Sequence, residues 1–274
     1  MKFFFEVRIK VDEEALAAGL VIARLSGLGF DGFVEEEGMV LAYREKTGSI
    51  EELAKKLLEE GITQSEINII EDKNWNEIWE SDYQPVLVSR QVMVRAPFHD
   101  PVDGTRYDII IEPRMAFGTA HHETTSQMLS IITRMNIQGK RVLDMGCGTA
   151  VLAILALKMG ASNVLAIDFD EWAYQNALDN LRLNEAHAIE VLLGDADLLK
   201  NREFDIIFAN INRNILLEDI PRYASVLARQ GSLLMSGFYE EDLVLIEQKA
   251  NASGLRLEST SVQNKWMAAL FISH

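Results

Sequence analysis

From Gly139 onward, apolar segments of strand length alternate with helix-length segments. Val142 to Asp144, Val164 to Asp168, Ile189 to Leu193, Phe204 to Ile211 and Ser232 to Ser236 read as strands. Val151 to Met159, Glu171 to Leu183, Ile215 to Ala228 and Glu240 to Ala252 read as helices. A helix between two strands carries the chain back to the edge where it began, so the strands pair in parallel and need helices on both faces. The alternation predicts an α/β fold with a doubly wound, mostly parallel sheet. The last two strands, Leu255 to Val262 and Trp266 to Ile272, are separated only by Gln263, Asn264 and Lys265 and are expected to form an antiparallel hairpin at one edge.

The first 72 residues follow another pattern. Phe5, Val7, Ile9 and Val11 alternate with polar residues as in a half-buried strand. A helix is expected from Asp12 to Leu25, then extended segments at Phe33-Val34 and Met39 to Tyr43, a helix from Ile50 to Glu60 and a strand at Ile67 to Ile70. This βαββαβ order predicts a small N-terminal α+β ferredoxin-like domain over residues 1–72. Trp75, Ile78 and Trp79 share a helical face in a connector at 73–84, and residues 85–274 form the larger domain. That domain opens with strands at Val86 to Arg95 and Tyr107 to Glu112 and a helix at Thr124 to Met135.

Composition removes several classes of function. Cys147 is the only cysteine, which excludes an internal disulfide framework and any multi-cysteine metal site. The formal charge is −16; residues 1–72 hold 16 acids and 8 bases, the remainder 26 and 18. A chain without clustered Lys and Arg is not expected to bind naked nucleic acid over a broad face. No segment approaches the roughly 20 apolar residues of a membrane helix, and Lys2, Glu6 and Arg8 interrupt what a signal peptide needs apolar. A cytoplasmic monomer is expected.

Four segments carry chemistry. Val142-Leu143-Asp144-Met145-Gly146-Cys147-Gly148-Thr149-Ala150 runs from an apolar strand through small residues into a helix, which permits a tight turn and close approach of a ligand to the backbone. Asp168, 22 residues after Gly146, ends the next strand, where an acid can accept hydrogen bonds from both hydroxyls of a ribose. This much suits nicotinamide and methyl-donor enzymes alike, but a dinucleotide fingerprint needs Gly or Ala where Val151 stands. Gly194-Asp195-Ala196 follows the third strand. Phe204 to Ile211 delivers Asn210 to a strand end, where a side-chain carbonyl and adjacent backbone carbonyls can accept the protons of an incoming amine. Phe117-Gly118-Thr119-Ala120-His121-His122-Glu123-Thr124-Thr125 precedes a helix, with Thr124 or Thr125 as a candidate N-cap. Adjacent histidines point apart and no partner ligands stand near, so no metal site is expected.

Together these segments resemble the bacterial methyltransferases of large-subunit ribosomal protein L-eleven, the PrmA family. The resemblance runs from about Trp75 to the end and is most specific in the Phe117-Gly118-Thr119 loop, the Asp144-to-Gly148 turn and Ala209-Asn210-Ile211. It implies a seven-stranded Rossmann-like methyltransferase sheet and S-adenosyl-L-methionine as cofactor. Carried over by position, the cofactor contacts fall on Thr125, Gly146, Asp168 and Asn210, with Gly148 in the same turn and Asp195 facing the adenine amino group. Asn210 and the Ile211 backbone are the expected catalytic groups, orienting the attacking nitrogen. Ala120 and Ala150 stand where the family pattern has glycine, Glu123 where it has proline and His121 where it has threonine. An added methyl at either of the first two crowds the cofactor or shifts the backbone if a positive φ is needed, and both are expected to be tolerated variants.

The implied reaction is methyl transfer to the α-amine and lysine ε-amines of the basic ribosomal protein, with residues 1–72 as the substrate reader. Three rivals stand beside it: an amino methyltransferase of nucleic-acid bases, a small-molecule amine methyltransferase, and a nucleoside-binding module without catalysis. The acidic balance counts against the first, a reader-sized extra domain against the second, and Asn210 with Thr125 against the third.

Overall fold

A computed structural model of the chain describes residues 3–11, 21–22, 24–30, 32–36, 38–63, 65–71, 83–112 and 118–274. The chain divides into two compact units, Met1–Tyr83 and Gln84–His274. Most of the helix expected from Asp12 and the connector expected at 73–84 lie outside the described residues, as does Phe117.

In the first unit, β1 (Phe3–Lys10), β2 (Gly32–Glu36), β3 (Met39–Glu45) and β4 (Ser65–Glu71) form an antiparallel sheet in the order β2-β3-β1-β4. The alternation in β1 sends Phe5, Val7 and Ile9 to one face. There they pack with Val40 and Ala42 of β3, with Leu53 and Leu57 of α1 (Ile50–Glu59), and with Leu25 in a helical stretch over 24–27. Ser49 and Glu52 close a capping box at the start of α1, and Gly61 follows its end with φ +79°.

The second unit holds two sheets. β5 (Val86–Val88), β6 (Val92–Arg95) and β7 (Tyr107–Ile110) make the smaller one, β5-β6 antiparallel and β6-β7 parallel. The single strand expected from Val86 to Arg95 is thus a hairpin. Ser89 and Arg90 both take positive φ, 49° and 57°, a turn that carries none of the usual glycine or asparagine signal. The larger sheet contains β8 (Arg141–Met145), β9 (Asn163–Asp168), β10 (Ile189–Leu193), β11 (Phe204–Asn210), β12 (Leu227–Tyr239), β13 (Leu255–Gln263) and β14 (Trp266–Ser273), in the order β10-β9-β8-β11-β12-β14-β13. Its strands are parallel from β10 to β12, and β14 is antiparallel to both its neighbours. β13 and β14 form the expected edge hairpin through a two-residue turn, Asn264 and Lys265, at φ 48° and 69°.

The helices are α2 (Glu123–Ile132), α3 (Val151–Lys158), α4 (Glu171–Leu183), α5 (Arg213–Val226) and α6 (Leu243–Ala252). Neighbouring strand residues go to opposite faces. Val142, Val164, Ile206 and Phe208 join the core shared with α2, α3 and α4, while Leu143, Leu165, Ile207 and Met235 join the one shared with α5 and α6. Both faces being covered explains why these strands are apolar throughout. Among the boundaries that differ from expectation, α5 ends at Val226 because β12 already begins at Leu227, and Glu240–Asp242 form a 3₁₀ turn ahead of α6. The strand order reverses between β8 and β11, which opens a crevice at their carboxyl ends.

Candidate active site

The turn after β8 occupies that crevice. The Gly146 and Cys147 N–H groups both donate to the Ile167 carbonyl, at 2.8 and 3.0 Å, which bends the chain sharply away from the strand. Gly146 has φ +69°, and a Cβ there would collide with the Ile211 side chain. This position therefore requires glycine twice over, for conformation and for space. Asp168, at the end of β9 and 6% exposed, accepts from the Gly148 N–H at 2.8 Å and from the Asp170 N–H at 3.0 Å. It braces the turn and keeps lone pairs for a ligand.

A cavity of about 620 Å³ lies against this turn. Gly146, Gly148, Asp168, Asp195, Asn210 and Ile211, all expected from sequence, line it together. Thr125 does not. It is buried behind the wall, where its Oγ1 receives the Asn210 Nδ2–H at 3.4 Å, and the wall itself is made by Thr124 and His122. Asp195 spends one carboxylate oxygen on the Asp197 N–H at 2.8 Å, capping the 3₁₀ turn Ala196–Leu199. The Asn210 Oδ1 is buried and has no hydrogen-bond partner. A polar oxygen left so costs stability, which marks it as a place for a donor from outside.

The geometry corrects the expected N-cap and places the two alanines. The N-cap of α2 is His122, whose Nδ1 accepts from the Thr124 N–H, and not either threonine. Ala150 and Ala120 do hold positive φ, 62° and 65°, but both are buried in the core and neither lines the cavity, so their methyl groups do not crowd a ligand. Some of the cavity wall has no local sequence signal: Trp266 on β14 and Phe169, Ile215 and Asp219 around the opposite side. Trp266 stacks on Tyr239 at 4.2 Å and meets the edge of His122 at 4.8 Å. His121 turns away to the Gln84 carbonyl, 2.9 Å from its Nε2.

Asp144 lies buried beneath the turn, and the Cys147 side chain is buried within it. Asp144 accepts from the Ala153 N–H at 3.0 Å, and burial, aided by the charge on Asp168, pushes its carboxyl up to about 8. Burial likewise pushes the Cys147 thiol well above the usual thiol range, so it is no nucleophile. Because Ala153 N–H at the start of α3 is already taken by Asp144, that helix end has fewer donors for a pyrophosphate.

The family model "Ribosomal protein L11 methyltransferase (PrmA)" matches residues 28–273. A ribosomal protein L11 methyltransferase from Phocaeicola vulgatus is 45% identical over 260 residues, 92% of each chain. One from Porphyromonas gingivalis is 44% identical over 278 residues, 98% of this chain and 96% of that one. Among solved structures, a ribosomal protein L11 methylase from Lactobacillus delbrueckii subsp. bulgaricus superposes with a TM-score of 0.65 at 28% identity, covering 70% of this chain and 99% of that one. With the glycine turn, the acid at the end of β9 and the asparagine at the end of β11 meeting in one cavity, the chain belongs to the PrmA family of ribosomal protein L11 methyltransferases.

Proposed function

We propose that this chain transfers methyl groups from S-adenosyl-L-methionine to the α-amine and lysine ε-amines of ribosomal protein L11 in the cytoplasm. Residues 85–274 carry the chemistry, residues 1–72 read the substrate and 73–84 connect them. The residues present fit the cofactor: a turn with no room for a Cβ at Gly146, a braced Asp168 for the ribose, and Asp195 with an oxygen to spare. Bound there, S-adenosylmethionine supplies an electrophilic methyl group on a sulfonium sulfur.

The chain's own part is alignment. Asn210 donates Nδ2–H to Thr125, which fixes the amide plane and leaves Oδ1 to accept one N–H of the substrate amine, while the Ile211 carbonyl accepts another. A neutral acceptor suits this task, because a carboxylate would favour the ammonium form, which has no lone pair to attack with. At pH 7, deprotonating a lysine costs about 4–5 kcal/mol and an α-amine about 1. Trp266 and Ile211 wall part of the site with apolar surface, which disfavours the charged amine.

The observation that carries this reading is the buried, unpartnered Asn210 Oδ1 beside the glycine turn. Incubation with labelled methyl donor, L11 and total RNA tests it. Label is expected in L11 amines, and Asn210→Ala at saturating donor should turn over about 100-fold more slowly, the scale of lost alignment. Label in RNA, or a variant of near-normal turnover, overturns it.

A further inference from the structure

Between the glycine turn and the segment ahead of α2 runs a series of hydrogen bonds that the steps above do not use. Thr149 is wholly buried, is not part of the cavity wall, and donates its hydroxyl to the Gly118 carbonyl at 2.8 Å. Gly118 holds φ +112°, and a Cβ there would collide with that same hydroxyl. The two loops thus approach as closely as a glycine facing a short side chain permits. On its other side, the Thr149 carbonyl accepts from Asn180 Nδ2 at 3.0 Å, and Asn180 Oδ1 accepts from the Glu112 N–H at 2.8 Å.

Asn180, in the last turn of α4, therefore holds both Glu112 and the glycine turn, and Thr149 holds Gly118 to that turn. From Gly118 the chain passes through Ala120, whose carbonyl receives the Ser126 hydroxyl at 2.6 Å, and reaches Thr125 beneath Asn210. Ala120 keeps a left-handed backbone that disfavours any residue with a Cβ. An arc in that conformation is held by its anchors rather than by its own preference.

We propose that Thr149 is a positioning residue for methyl transfer: its hydroxyl ties the cofactor turn to the 118–125 arc and thereby sets the Thr125 contact that aims the Asn210 amide. This rests on the activity proposed above and assigns a second-rank residue to it. Valine at position 149 keeps the shape but removes the donor, leaving the Gly118 carbonyl unpaired. The Asn180 bond is to the backbone and survives, so the cofactor side should be spared.

The test uses the full chain with Thr149→Val and Thr149→Ser, followed by amide hydrogen exchange over 118–125, calorimetric titration with S-adenosylmethionine, and turnover of L11 at saturating substrates. In the valine variant, exchange over the arc should quicken and kcat should fall about tenfold while the donor Kd stays within about twofold. Serine, which restores the hydroxyl, should restore exchange and kcat. Unchanged exchange, a donor Kd that weakens as much as kcat falls, or failure of serine to rescue each overturns the tie. If the unaltered chain methylates no L11, the activity assignment fails instead, and the exchange data alone still decide whether Thr149 holds the arc.

Discussion

Ala120 and Ala150 show how the glycine pattern of this fold can be relaxed at single positions. A left-handed backbone costs an L-residue about 1–2 kcal/mol. Both methyl groups are buried in the core, which offsets part of that at about 0.8 kcal/mol per buried carbon. The Ala150 N–H donates to Cys147 at 2.8 Å and its carbonyl accepts from Ile154 at 2.9 Å, so hydrogen bonds hold the conformation that glycine would adopt freely. Asp144, beneath the same turn, ties stability to pH. Its folded pKa, about 8, lies above the ordinary 3.8, so the folded chain keeps a proton that the unfolded chain releases. The stability this contributes is full below about pH 4 and is lost as the pH climbs through about 8. Asp144→Asn retains the acceptor for the Ala153 N–H and cannot ionise. Its stability relative to the parent should rise between pH 5 and 9 by at least about 1.4 kcal/mol, one pKa unit. Urea unfolding at pH 5, 7 and 9 measures this, and parallel curves for the two proteins would refute it.

Three asparagines stand four apart, Asn176 and Asn180 on α4 and Asn184 at its C-cap, and the last two serve as substitutes for backbone. Asn184 accepts from the Ile110 N–H at 2.9 Å and donates to the Ile110 carbonyl at 2.6 Å, so the helix takes the place of a further strand beside β7. Asn184→Ala leaves both groups unpaired and should cost about 2 kcal/mol in chemical denaturation; a loss under about 0.5 would mean that water replaces the side chain. The 4-residue spacing is visible in the sequence, but its meaning is not, because the partners lie 68 and 74 residues earlier. The same division runs through the whole chain. Gly146, Gly148, Asp168 and Asn210 were legible because a strand end or a tight turn is a local event with a local residue preference. Trp266 and Asp219 reach the cavity only through strand order and helix packing, which no nearby residue announces. The break between β5 and β6 was hidden because its turn uses Ser89 and Arg90. β12 extends well beyond the expected Ser232 to Ser236 because Arg229, Gln230 and Gly231 interrupt its apolar pattern without ending the strand.

At the scale of the molecule, charge divides between the two parts: 16 acids and 8 bases in residues 1–72, 26 and 18 in the rest. If residues 1–72 read the substrate as proposed, their acidic excess should attract a basic protein at low salt and less so as counterions screen it. Removing residues 1–72 should abolish methylation of L11 while S-adenosylmethionine still binds within about twofold, since the second unit has its own two cores. Calorimetry and label transfer together separate the outcomes: loss of both would make the segment a brace, and retained transfer would place recognition elsewhere. The reversed strand β14 has a kinetic consequence. It enters between β12 and β13 after every other strand has been traced, and it brings Trp266 with it. β14 pairs with β12 across 27 to 40 residues and with β13 through a hairpin, whereas β8 and β11, whose ends carry Gly146 and Asn210, pair across 64. During refolding, the edge that carries Trp266 should form before the two central strands meet and bring Asn210 against the glycine turn.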